Sequence, residues 1–239
     1  MKIKYEDHDI LYPFGEYIYR SKVDADGLKF MQDLAESSRE GDDASKSLVG
    51  NIKEQRHGMI KNQQDVNNFD KIFRLHLKNY MDQINRTANF VLEEDSERSE
   101  HERENTSFWR IVQGDYDKLS YSLNQGPWFN YMKKYEFNPL HNHHGEISAI
   151  CMVRVPEEIQ KEAENDEDPN WRAGGKLEFV SANGQSSPHR VVSREADVYM
   201  FPSMLRHQVY PYKSDVERIT CSWNYYNINY PPLQESSNE

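Results

Sequence analysis

The stretch LHNHHGE, residues 140–146, gathers His141, His143, His144 and Glu146 in a chain that has nine histidines in all. Neutral imidazole is the commonest metal ligand and carboxylate oxygens serve beside it, so this grouping could hold a transition-metal ion. On a strand, side chains alternate faces, which puts His141 and His143 on one side and turns His144 to the other. Glu146 reaches the same point only if the chain turns at Gly145. The other reading is a solvated loop rich in imidazole, and a further ligand elsewhere separates the two.

His207 is that candidate. It follows FPS in DVYMFPSMLRHQVYP (197–211), a pattern of strand, turn and return strand that would carry it into the interior of the same β-core. Arg218 then opens RITCSWN. Along that strand Arg218, Thr220, Ser222 and Asn224 share one face, and Ile219, Cys221 and Trp223 share the other. A polar face turned inward and an apolar face turned outward imply a lined cavity, with helices packed on the outside.

The elements that must hold these residues fall into two textures. In VNNFDKIFRLHLKNYMDQIN (66–85), Phe69, Ile72, Phe73, Leu77, Tyr80, Met81 and Ile84 keep the spacing of an amphipathic helix, with His76 at the edge of the stripe as a packing residue. A capping signal at Asp24 starts an earlier helix through GLKFMQDLAESS, and GDDASKSL reads as the loop after it. LVGNIKEQRHGMI (48–60) carries no assignable pattern. From Ser107 onward the chain is a series of short aromatic and β-branched runs between turn residues, which predicts an antiparallel sandwich or barrel. The expected organisation is one structural unit: a helical N-terminal region (1–105) packed on a β-core (106–230), with a tail (231–239).

A net charge of -11 disfavours a nucleic-acid backbone or an anionic membrane as partner. Much of the acid lies in two runs, 93–105 and 156–170, which read as solvated loops or helix ends. Cys151 and Cys221 sit in apolar runs and suit buried thiols in a reducing compartment rather than a disulfide framework. With no basic-then-apolar leader and no window near the ~20 apolar residues of a membrane span, a soluble, cytoplasmic protein is expected.

The histidine pair, the distal histidine after FPS and the arginine beyond it together resemble the iron(II)- and 2-oxoglutarate-dependent oxygenases. The pattern is most similar to a branch found in bacteria and their viruses, here carried by Trp128, Asn130, His141, His143, Gly145, Ser148, Phe201, Pro202, Ser203 and His207 over residues 105 to 227. The resemblance implies a double-stranded β-helix core, of jelly-roll or cupin-like form, with helices on its outer face. It implies His141 and His207 as iron ligands and Arg218 as the residue that binds the far carboxylate of 2-oxoglutarate, helped by Thr220 or Ser222. Asn130 and Tyr135 are further candidates for the cosubstrate, as is Tyr131, which with Tyr135 shares the parity of His141 if the strand has no bulge. The wider family has HxD where this chain has HxH. The third ligand is then His143 or Glu146, and an offset pairing of His144 with Glu146 also exists. The implied activity is hydroxylation of a peptidyl or small-molecule substrate with iron(II), 2-oxoglutarate and O2, releasing succinate and CO2. The alternative from another class is a cupin-like metal-binding protein that makes no use of 2-oxoglutarate.

Overall fold

The computed structural model describes residues 2–4, 8–11, 17–94, 115–124, 126–165, 167–168, 170–181 and 187–231. The expected helices are present. The first, α1, spans Ala25–Ser38, with Asp24 accepting from Gly27 N at 2.7 Å as its N-cap; the second, α2, spans Gln63–Glu94. A third, α3 (Glu157–Glu164), lies inside the second acidic run and buries Ile159 and Ala163, so that run is a helix rather than only solvated chain. The first acidic run is described only to Glu94, and the tail only at Pro231.

The N-terminal region is not solely helical. It also supplies four strands, β1 (Lys2–Lys4), β2 (His8–Leu11), β3 (Ile18–Lys22) and β4 (Gln55–His57). These extend a sheet whose centre is β6 (Trp128–Met132), β8 (Ile147–Arg154), β11 (Asp197–Pro202) and β13 (Arg218–Asn229), in the order β1-β2-β3-β11-β8-β13-β6-β4, with β5 (Ser120–Ser122) added on β13. A second sheet of β10 (His189–Val191), β9 (Leu177–Val180), β12 (Arg206–Val209) and β7 (Asn138–His141) faces it, completing a jelly roll. The neighbouring strands of both sheets run antiparallel.

Strand β8 shows how the pattern works. It is buried on both faces and reads as an almost unbroken apolar run. Ile147, Ala149, Cys151 and Val153 join the cluster beneath the helices, whereas Ile150 and Met152 join the one between the sheets. β11 divides likewise, Val198 and Met200 against Tyr199 and Phe201. On β13, Ile219, Cys221, Trp223 and Tyr225 take the helix side. Phe73 of α2 lies 4.3 Å and Phe69 5.1 Å, ring to ring, from Trp223. Each such fully buried side chain contributes about 1.5–3 kcal/mol, so the stripe of α2 is a principal clamp on the back of the sheet. His76 lies at the edge of that stripe, its Nδ1 3.0 Å from the Tyr19 hydroxyl. Cys151 and Cys221 are buried, free and opposite one another in register. Among the described residues no helix is long and apolar enough to cross a membrane.

Candidate active site

The inner face of β13 fronts a cavity of about 280 Å³ between the two sheets. Its apolar walls are Ile150, Met152, Leu177 and Val209; Arg218, Thr220, Ser222, Asn224 and Asn130 are its polar floor, and Asn138 faces it from the second sheet.

At one end stand three histidines. His207 on β12 lies directly opposite His141 on β7. His143, just past β7, brings Nε2 to 3.3 Å from His207 Nε2. One ring nitrogen from each of the three falls within 4.8 Å of the others, the arrangement that could hold a metal ion. The backbone fixes the tautomers of two of them: His141 Nδ1 lies 2.6 Å from Pro139 O and His207 Nδ1 lies 3.1 Å from Leu205 O, so each Nδ1–H donates and each Nε2 keeps a lone pair. Desolvation holds all three pKa values down, that of His143 to about 4, with His141 and His144 adding repulsion, and that of His207 well below the usual range. The imidazoles are neutral at physiological pH, the form that ligates.

The HxHG and FPS segments are joined through the main chain. His143 N donates to Ser203 O at 2.9 Å, and Ser203 N donates to Glu146 O at 3.1 Å. Gly145 has φ +146, and a Cβ there would meet Asn224, Ser203 and Tyr225 at 3.2 Å, so only glycine lets the loop pass. Ser148 Oγ lies 2.7 Å from Asn224 Oδ1 and 2.9 Å from Ser203 Oγ. The amide oxygen can only accept, so Ser148 donates to it and accepts from Ser203. Phe201 packs edge-on against His207 at 4.8 Å, and Trp128 lies 5.7 Å from His143.

Glu146 is turned away. It is exposed and its Oε1 accepts from Ile228 N at 3.1 Å, outside the histidine cluster. His144 is exposed at the cavity mouth. Tyr135 is corrected outright: β6 ends at Met132, the chain turns with Tyr135 at φ +64, and the side chain is 59% exposed and does not line the cavity. Tyr131 faces the helices, where its hydroxyl donates to Ala35 O and its ring lies under the Arg39 guanidinium at 4.2 Å.

Arg218 lies at 2% exposure. Its Nη1 donates to Gly175 O at 2.9 Å and its Nη2 to Met132 Sδ at 2.7 Å, while Nε is buried without a partner. No carboxylate pairs with it among the described residues. Burial lowers its pKa to about 10, with Tyr212 acting in the opposite sense, so it still carries its charge at neutral pH. A buried, unpaired guanidinium is costly unless an anion completes it. Residues outside the quoted motifs also line the cavity, among them Leu48, Val49, Ile52 and Gln55. Gln55 of β4 reaches Asn130, with Nε2 2.8 Å from Asn130 Oδ1, and Asn130 Nδ2 donates to Thr220 Oγ1 at 3.2 Å. Its signal was absent locally, because only the pairing of β4 with β6 brings it in.

Residues 126–224 match the family described as "Putative 2OG-Fe(II) oxygenase". Among solved structures, AviO1 from Streptomyces viridochromogenes Tue57 is similar with a TM-score of 0.50 at 13% identity, over 93% of this chain and 94% of that one. A Trichoplax adhaerens prolyl hydroxylase, solved with a hypoxia inducible factor peptide fragment, gives 0.49 at 10% identity over 88% and 83% of the two chains. A Pseudomonas putida prolyl-4-hydroxylase gives 0.45 at 13% over 88% and 92%. At these identities the likeness is one of fold. No curated protein matches the sequence. The matched stretch holds the three histidines, Arg218 and the polar face of β13, and over it the chain is similar to the 2OG-Fe(II) oxygenases.

Proposed function

We propose that the protein hydroxylates a C–H bond of a peptidyl or small-molecule substrate, with His141, His143 and His207 as the iron ligands and Arg218 as the anchor for the far carboxylate of 2-oxoglutarate. The observation that carries this reading is Arg218: a charged, buried guanidinium with a free Nε–H at the floor of the same cavity whose end holds three ligation-ready imidazoles. Bound there, iron(II) and 2-oxoglutarate would supply the oxidative chemistry, with O2 as co-substrate and succinate and CO2 as the accompanying products.

The chain's own part is positioning and exclusion. The Arg218 fork meets a carboxylate in the bidentate manner that a lysine cannot. Gly175 and Met132 hold it at two of its three nitrogens, so its place is set before any ligand arrives. Thr220 and Ser222, on the same face of β13, offer hydroxyls beside it, and Asn130 orients Thr220. The apolar walls keep water from the reacting atoms. With three neutral imidazoles as the proposed ligands, the charge of a bound iron(II) would be met by the dianionic cosubstrate. Two buried free thiols support a reducing, cytoplasmic setting.

Anaerobic titration of the iron(II) protein with 2-oxoglutarate tests this reading. A visible charge-transfer band that saturates near one equivalent is expected. Iron binding with no such band, and no calorimetric binding of 2-oxoglutarate, would leave a cupin-like metal protein in its place.

A further inference from the structure

Gln55, Asn130 and Thr220 form one row across β4, β6 and β13, each directly opposite the next in register. Their side chains form a continuous hydrogen-bonded line on the cavity face. Gln55 is 1% exposed, its Nε2 donates to Asn130, and its Oε1 is buried without a partner in the cavity wall. Gly50 closes over it from the preceding loop; a Cβ there would lie 3.0 Å from Gln55 Nε2. The carboxamide is thus held to the row on the cavity lining, with one polar atom that no protein group satisfies.

A line of carboxamides ending in a hydroxyl can run in only two directions, because an amide oxygen only accepts, an NH2 only donates, and Thr220 has one proton. If Thr220 gives that proton to a ligand, it must accept from Asn130 Nδ2. Asn130 Oδ1 then accepts from Gln55, and Gln55 presents a carbonyl oxygen. If Thr220 instead donates to Asn130, both amides turn over and Gln55 presents NH2. We infer that Gln55 is the residue that reads the second substrate, and that 2-oxoglutarate sets its polarity. A carboxylate seated on Arg218 takes the Thr220 proton, so the loaded site offers an acceptor at Gln55 and selects a substrate bearing an N–H or O–H donor. This rests on the placement of 2-oxoglutarate proposed above.

The test uses 2-oxoglutarate alone, bound to the anaerobic iron(II) protein, in a double-substitution cycle of variants that retain wild-type circular dichroism and iron content. Gln55→Glu can only accept once ionised, so with the Kd followed up the pH range to its plateau it forces the row into the reverse direction and takes the Thr220 proton from the ligand. The Kd for 2-oxoglutarate should rise about tenfold, the weight of one hydrogen bond to a charged group. Gln55→Met, which imposes no direction, should change it about twofold or less, and Gln55→Glu should lose its effect in a Thr220→Val background. A Gln55→Glu effect of equal size in both backgrounds is charge repulsion and overturns the relay, as does no effect at all. If wild-type protein binds no 2-oxoglutarate, the oxygenase placement itself fails. For the substrate side, saturation-transfer NMR on zinc(II)-loaded protein with 2-oxoglutarate compares N-methylacetamide with N,N-dimethylacetamide. Only the first should give a signal, and only with Gln55 intact; equal signals, including none from either, overturn the donor assignment.

Discussion

His141 and His207 face one another across β7 and β12, and each places its Nδ1 against the carbonyl two residues before it, Pro139 and Leu205. The two rings are therefore set by main chain that the strand pairing already fixes, with one nitrogen of each within 4.8 Å of the other.

His207→Ala should abolish stoichiometric iron binding, read by elemental analysis. Because the ring packs between Phe201 and Phe179 at 4.8 and 6.3 Å, alanine also leaves a void and should cost roughly 1–3 kcal/mol in denaturant titration. His207→Gln fills the space and separates the two effects. Full iron content in folded His207→Gln and His207→Ala would remove the residue from the ligand set.

Glu146→Gln should leave iron affinity close to that of the wild type, since its carboxylate is engaged with Ile228 N outside the cluster, whereas His143→Ala should weaken it severely. Matched anaerobic iron titrations check the ranking. The reverse order would make Glu146 the third ligand.

Arg218→Ala should keep iron and lose 2-oxoglutarate. Removing one partner of a buried charge pair costs ~2–5 kcal/mol, roughly a thirtyfold to several-thousandfold loss in affinity. Arg218→Lys should recover only part of it. Arg218→Met carries an added expectation: without ligand it should melt higher than the wild type, because it removes an unpaired buried charge. A 2-oxoglutarate affinity within a factor of about two of wild type in Arg218→Ala, against the much larger loss expected for such a pair, would sink the anchor role.

Glu162 on α3 gives the pH dependence. It accepts from Trp171 Nε1, Lys213 N and Ser214 N and Oγ, tying α3 to the loop that leads into Arg218. Burial raises its pKa, but these four donors outweigh burial and hold it below the usual 4.5. A carboxylate depressed in the fold contributes stability that is complete above 4.5 and lost as pH falls below it, because the unfolded chain takes up the proton first. Stability measured from pH 6 to 3.5 should fall less steeply below pH 4.5 in Glu162→Gln than in the wild type, from a lower starting value. Parallel curves would show that Glu162 is not depressed.

Much of the site was legible because it lies on strands, where a two-residue period sorts faces. The polar and apolar sides of β13, the His141 and His143 pair and the stripe of α2 all follow from such periods. Parity failed where the strand ended: Tyr135 was counted on from Tyr131 across a turn with positive φ. Parity also says nothing of Glu146, whose carboxylate past the turn at Gly145 meets Ile228 N of β13. Gln55 and β1–β4 were not legible, as short edge strands have little pattern of their own and take their place from register with distant partners. The packing of His207 between two phenylalanines was likewise a product of sheet pairing.

The central strand β13 has Trp223 wedged against Phe69 and Phe73 on one side and Ser222 and Asn224 open to the cavity on the other. The chemistry and the scaffold share a single layer of backbone. A substitution on the sheet-facing side of α2, remote from the histidines in sequence, acts on the site through one strand's thickness. In a screen for altered selectivity, tuning positions would therefore emerge on the back of the sheet as well as around the mouth of the cavity.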